Sequence, residues 1–306
     1  MLAPIVIFAY NRPEHLKRCL DSLQSNFEFD KSQVYLYLDG PKDKSDHAKQ
    51  LLIKKYIEEL KVSLNLEIKT FYRQKNNGLS ASITKGLSEV FRDHESAIIV
   101  EDDLEVSPYF LNFLNNGLLK YREQLKVGSI HGFSYDLNIT SSTNYFLRGG
   151  DCWGWATWKN RWELFESEGS KLLNDFENNP NLKHEFNLNG AYPYFEMLER
   201  QSKGQVDSWA IRWHASLFLA NKLTLYPSST LVKNCGFDGS GTHLNNNFNF
   251  PKELSLKSNA LGDIEIIESK EALDKLKKFL RNQYRIGIHH TFLRFISSIL
   301  DHFKFR

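Results

Sequence analysis

The 306-residue chain is 41% hydrophobic and 25% charged, with a formal net charge of +2; this excludes wholesale disorder and is too near neutral for a protein that coats nucleic acid. Cys19, Cys152 and Cys235 are odd in number, far apart and without metal-ligand spacing, so neither a disulfide framework nor a zinc site is expected. A reducing, cytoplasmic setting fits. APIVIFAYNRP at residues 3–13 already reads as strand and turn, leaving no room for a secretory leader, and no apolar stretch is long enough to span a bilayer.

PIVIFAY is an apolar run ended by the turn-prone NRP, and EHLKRCLDSLQ then places its leucines and Cys19 at helical spacing. VYLYLDGP repeats the theme, a strand closing in Asp39 before Gly40 and Pro41, and DHAKQLLIKKYIEELKV follows with a helical period. LEIKTFYRQ is a third strand, SASITKGLSEVFRD a third helix, SAIIV a fourth strand, and SPYFLNFLNNGLLKY a fourth helix. Strands alternating with helices predict an α/β fold over residues 1–125, an open parallel sheet with helices on both faces. Ligands bind such sheets at the carboxyl ends of their strands, where Arg12, Asp39 and Glu101 to Asp103 all fall.

Glu101, Asp102 and Asp103 follow a buried strand directly, a costly cluster unless something positive meets it. On a surface the same acids would make an ordinary solvated turn. At the mouth of a sheet they suit Mg²⁺ or Mn²⁺, hard cations that take one or two protein oxygens and share their other positions with phosphate and water.

Beyond Lys126 the texture changes. RGGDCWGWATWKNRWELF packs four tryptophans closely, either as a buried aromatic cluster or as a surface that stacks on sugars or bases. YFEMLERQSKGQVDSWAIRWHASLFLANKL reads as two helices parted at Gly204, with Asp207 opening the second as an N-cap or as a functional acid. GFDGSGTHLNNNFNF is a Gly- and Asn-rich loop carrying His243. Three segments are expected: residues 1–125 for the donor, 126–250 for acceptor and catalysis, and a helical extension at 251–306.

AIIVEDDLEVSPYFLNFL resembles the metal-binding segment of the N-acetylglucosaminyltransferase I family, glycosyltransferases of the GT-A fold with an EDD form of the DxD motif. VIFAYNRPEHLKRCLDSL, KGLSEVF, RGGDCWGWATWKNRW and VDSWAIRW are similar, in the same order, to that family's first strand and helix, its pre-motif helix, its Gly-Trp acceptor segment and its catalytic helix, a likeness covering about residues 3–245. The resemblance implies a nucleotide-sugar donor, UDP-linked, and a glycan or lipid-linked glycan acceptor of surface polysaccharide synthesis. It assigns Asp103 to the metal, Glu101 and Asp102 to the nucleotide side, Arg12 to the diphosphate and Asp39 to the uracil edge. Asn77, Gly78 and Ser82 fall in the loop of further base contacts, Ser82 where that family has a histidine. Trp153, Gly154, Trp155 and Trp209 fall on the acceptor side, and His243 matches a histidine of the metal or diphosphate. Where the family has two acids before a tryptophan, the chain has Asp207, Ser208 and Trp209, so Asp207 is the one carboxylate there to act as base.

Two other readings are weighed. A sugar nucleotidyltransferase would carry a Gly-rich first loop, and AYNRPEH has no glycine; a non-catalytic carbohydrate-binding protein would keep the tryptophans without turnover. HHTFLRFISSILDHFKFR spaces Phe292, Phe295, Ile296, Ile299 and Phe303 helically among Arg294, Lys304 and Arg306, a pattern for peripheral contact with anionic lipid at the inner membrane face or for packing on protein.

Overall fold

The structure, a computed structural model, describes residues 2–64, 66–135, 137–140, 143–238 and 253–283. β1 (Ile5–Ala9), β2 (Val34–Leu38) and most of β4 (Ser96–Glu101) are buried on both faces, as expected of β-branched and aromatic runs in an interior parallel strand. α1 (Pro13–Gln24), α2 (Lys44–Leu64) and α3 (Leu79–Val90) connect them through β3 (Ile68–Tyr72). α1 opens on Pro13, whose fixed φ and missing N–H suit the first helical turn. β5 (Leu104–Val106), a short strand hidden between the acids and α4 (Phe110–Lys120), has no signature in the sequence reading and exists because it pairs antiparallel with the distant β10 (Val232–Asn234).

The second half adds β6 (Val127–His131), β7 (Tyr145–Arg148), β8 (Trp155–Trp158) and β9 (Leu223–Tyr226), with α5 (Lys159–Trp162), α6 (Gly169–Glu177), α7 (Pro180–Phe186), α8 (Tyr194–Ser202) and α9 (Trp209–Leu219). All join one eight-stranded sheet in the order β3-β2-β1-β4-β8-β6-β9-β7. The β3, β2, β1 and β4 run is parallel throughout, as is β6 with β9, while β8 runs antiparallel to both β4 and β6. The first and second halves of the chain thus meet inside a continuous sheet.

Alternation along β1 divides the core. Ile5, Ile7 and Ala9 face Leu16 and Leu20 of α1 and Ile53 and Ile57 of α2. Val6 and Phe8 face Ile83 and Leu87 of α3 and a cluster of Trp155, Trp162, Trp209 and Trp213. Helices therefore cover both faces, as the alternation of elements requires. A helical stretch at 270–283 packs Ala272, Leu276 and Leu280 against Tyr145, Leu147 and Tyr226 at the β7 edge. His243 and the Phe292 to Phe303 pattern lie outside the described residues. Among those described, no helix is long and apolar enough to cross a membrane.

Candidate active site

Because β1 and β4 are parallel neighbours, Arg12 and the three acids leave the sheet at the same edge. Arg12 Nη2 lies 2.5 Å from Asp102 Oδ1 and 3.0 Å from Asp103 Oδ2. Asp102 Oδ2 also accepts from the Tyr10 amide at 3.2 Å. Burial pushes the carboxyls of Glu101 and Asp102 up; the charges of Asp103 and Asp102 add to this at Glu101, and Arg12 opposes it at Asp102 without reversing it. One guanidinium against three acids leaves the rim short of positive charge.

That deficit and an all-oxygen donor set fit a hard divalent cation. Among the described residues no three acidic, histidine or cysteine side chains form a closed metal cage. A cation that shares its shell with a diphosphate needs no such cage. Asp103 is also fixed by contacts the sequence did not disclose: its carbonyl accepts from Cys235 N at 2.8 Å, and any Cβ on Gly236 would collide with its Oδ2. Hence the segment after β10 closes over the last acid of the cluster.

Phe8, Tyr10, Arg12, Lys42, Ser82 and Glu101 help line a cleft above the edge. Ser82 Oγ is buried there with no hydrogen-bond partner among the described residues, a polar atom that a ligand can satisfy. Asp39 lines the same cleft. Its carboxylate accepts from the backbone amides of Gly40, Asn77 and Gly78, each at 2.9 Å, which takes up most of its roughly four lone-pair sites. Asn77 spends its side chain on Asp39 and on the Lys75 carbonyl. Asp39 and Asn77 therefore hold the loop at 75–78 in shape. Gly78 makes that turn possible, at φ 82° and ψ 159°, a backbone region open essentially to glycine.

Across from Gly78 stands Asp207. Its Oδ2 lies 3.0 Å from the position a Cβ would take on Gly78. The N-cap of α9 is Ser208, whose Oγ accepts from Ile211 N at 3.4 Å, so Asp207 is exposed and not consumed in capping. Arg212, buried one turn later, donates to Ser208 O at 3.3 Å, to Ser167 O at 2.6 Å and to Ser80 Oγ, tying the first turn of α9 to that of α3.

Ser208 lines a second pocket with Tyr135, Asp151, Trp153, Tyr194 and Phe237. Of the expected acceptor contacts, Trp153 lines it. Trp155 is 0% and Trp209 2% exposed, their rings 5.5 Å apart between centroids within the tryptophan cluster, and a ring sealed in the core cannot stack on an acceptor. Gly154 is likewise buried; at φ 64° it admits a turn against Phe110 and Val232 and offers no surface to a ligand. Asp151, Tyr135 and Tyr194 were missed because single residues from separate segments carry no local pattern.

The sequence matches the family model described as glycosyl transferase family 2 over residues 5–186, more than half of the chain. The chain belongs to that family. The matched span ends before Asp207. No curated protein is similar to it. Among solved structures it is similar to a mannosyltransferase from Pyrobaculum calidifontis in complex with GDP-Man and Mn²⁺ (14% identity, 54% of this chain and 46% of that one, TM-score 0.38). GalNAc-T7 with UDP, GalNAc and Mn²⁺ aligns at 13% identity over 55% and 37% (TM-score 0.41), and S. aureus TarS at 16% over 42% and 21% (TM-score 0.32). The chain thus spans under half the length of each, and overlaps this loose transfer neither substrate nor metal.

Proposed function

We propose that the chain is an inverting glycosyltransferase of N-acetylglucosaminyltransferase I-like type, moving GlcNAc or a related hexose from a UDP-linked donor to a glycan or lipid-linked glycan of a surface polysaccharide. One observation carries the reading: Asp207 stands against Gly78, which lines the cleft, while the next residue, Ser208, lines the aromatic pocket. A carboxylate between two pockets is where a base must stand to take a proton from an acceptor in one and activate it against a donor in the other.

The acceptor oxygen forms its bond to the anomeric carbon as the bond from that carbon to the diphosphate oxygen breaks on the opposite face. Asp207 accepts the hydroxyl proton, and the nucleoside diphosphate departs with the bonding electron pair. Arg12, held against Asp102 and Asp103 in the wall of the cleft, would offer positive charge to the departing diphosphate. Ser82 Oγ offers the nucleotide a hydrogen bond, and Trp153 offers the acceptor an aromatic wall. Asp103, with Glu101 and Asp102 beside it, would hold Mn²⁺ or Mg²⁺, which when bound supplies positive charge against the leaving diphosphate.

The test is a screen of nucleotide sugars for release of nucleoside diphosphate, with Mn²⁺, with chelator, and with Asp103→Ala. Release with one donor class, lost in chelator and in the folded variant, is expected. Full activity in chelator would sink the metal part, and no turnover of any nucleotide sugar would sink the whole.

A further inference from the structure

The aromatic pocket beside Ser208 contains a carboxylate that the reaction above does not use. Asp151 follows Gly149 and Gly150, and its Oδ2 accepts from the hydroxyls of Tyr135 at 3.1 Å and Tyr226 at 3.3 Å. Oδ1 is bonded at 3.2 Å to the amide of the next residue, Cys152, and accepts from nothing else among the described residues. No cation pairs with Asp151 among them either. His214, which lines the same wall, gives no compensating charge: its Nδ1 meets the Gly150 carbonyl at 2.7 Å, and burial lowers its pKa, keeping it neutral.

This juxtaposition has a chemical meaning. Aromatic faces suit the C–H faces of a pyranose, and a carboxylate with spare lone pairs accepts hydrogen bonds from its hydroxyls. The two tyrosines fix Asp151 by donating to one oxygen, which leaves the other for a ligand. Lacking a cation, the same carboxylate repels an acidic sugar, whose charge would be held close in a partly desolvated site.

We propose that this pocket holds one neutral pyranose unit of the acceptor, and that Asp151 selects it by accepting hydrogen bonds from its hydroxyls and by rejecting uronates. The inference rests on the acceptor side of the function proposed above and names the chemical class that side takes. Asp151 is a specificity residue, separate from Asp207, which stands against Gly78.

The test uses the full chain and scores binding, not turnover. Methyl glycosides of glucose, galactose, mannose and N-acetylglucosamine, and methyl glucuronoside, are titrated by saturation-transfer NMR and tryptophan fluorescence. At least one neutral glycoside is expected to bind, with the glucuronoside weaker by about 10-fold or more than the glucoside. Asp151→Asn should weaken the neutral ligand by about 10-fold or more, the loss typical of a hydrogen bond to a charged group, and narrow the gap to the glucuronoside. Met197→Trp, which fills the pocket from α8, should abolish binding of all of them. Thermal melting and UDP binding report whether each variant is folded. Equal binding of glucoside and glucuronoside, wild-type affinity in Asp151→Asn, or no neutral glycoside bound by the wild type overturns the proposal. The catalytic reading fails on a different result, the absence of nucleoside diphosphate release, so the two are told apart.

Discussion

Replacing Asp207 with Asn separates the base from the cap. The carboxylate is exposed and Ser208 holds the N-cap of α9, so removing the charge breaks no described hydrogen bond; it takes away the charge that favours the buried Arg212 guanidinium and should cost no more than about 1 kcal/mol. Transfer should fall by about 10² to 10⁴-fold, the usual worth of general-base help, or about 2.7–5.5 kcal/mol in the barrier. Donor KM should hold, because the cleft keeps Arg12 and Ser82. Ser208→Ala is the control: losing the cap costs about 1 kcal/mol of stability, the opposite balance between melting and turnover. Initial rates of nucleoside diphosphate release at saturating donor, with and without acceptor, read one effect, and thermal melts read the other. Transfer within about threefold of wild type in a folded Asp207→Asn chain would refute the assignment, since such a loss is under 1 kcal/mol of barrier.

The tryptophans should divide by burial. Trp155→Ala removes a ring at 0% exposure and should cost about 3–5 kcal/mol in a denaturant melt, whereas Trp153→Ala, at the pocket wall, should spare stability more and raise the acceptor KM. Mn²⁺ binding should weaken as pH falls. Burial keeps Glu101 and Asp102 protonated above the ordinary 4.5 and 3.8, so a bound cation displaces protons from them, and calorimetry in two buffers of different ionisation enthalpy should show proton release on binding and a higher affinity at pH 8 than at pH 6. Equal affinity at both would count against these acids as the metal's neighbours.

The alternation of apolar runs with helical periods fixed the elements of the first half apart from β5, because strand and helix periods are local properties of consecutive residues, whereas β5 depends on its pairing with β10. It also placed Arg12 and the acids at one edge, since a parallel sheet with helical crossovers puts every strand's carboxyl end on the same side. The separation of Asp207 from capping was beyond local reading, as Asp and Ser are both good caps and only the helix start chose Ser208. The tryptophans were equally ambiguous: aromatic rings suit a core or a sugar, and only burial showed that Trp153 meets the pocket while Trp155 and Trp209 fill the interior. That Asp39 clamps a loop was equally hidden, because two of the amides that reach it, those of Asn77 and Gly78, lie 38 and 39 residues away in sequence, and only Gly40 is adjacent. Sequence determined the chemistry available at the sheet edge; tertiary structure decided which groups stay free for a ligand, because a lone pair already holding a backbone amide is not available for anything else.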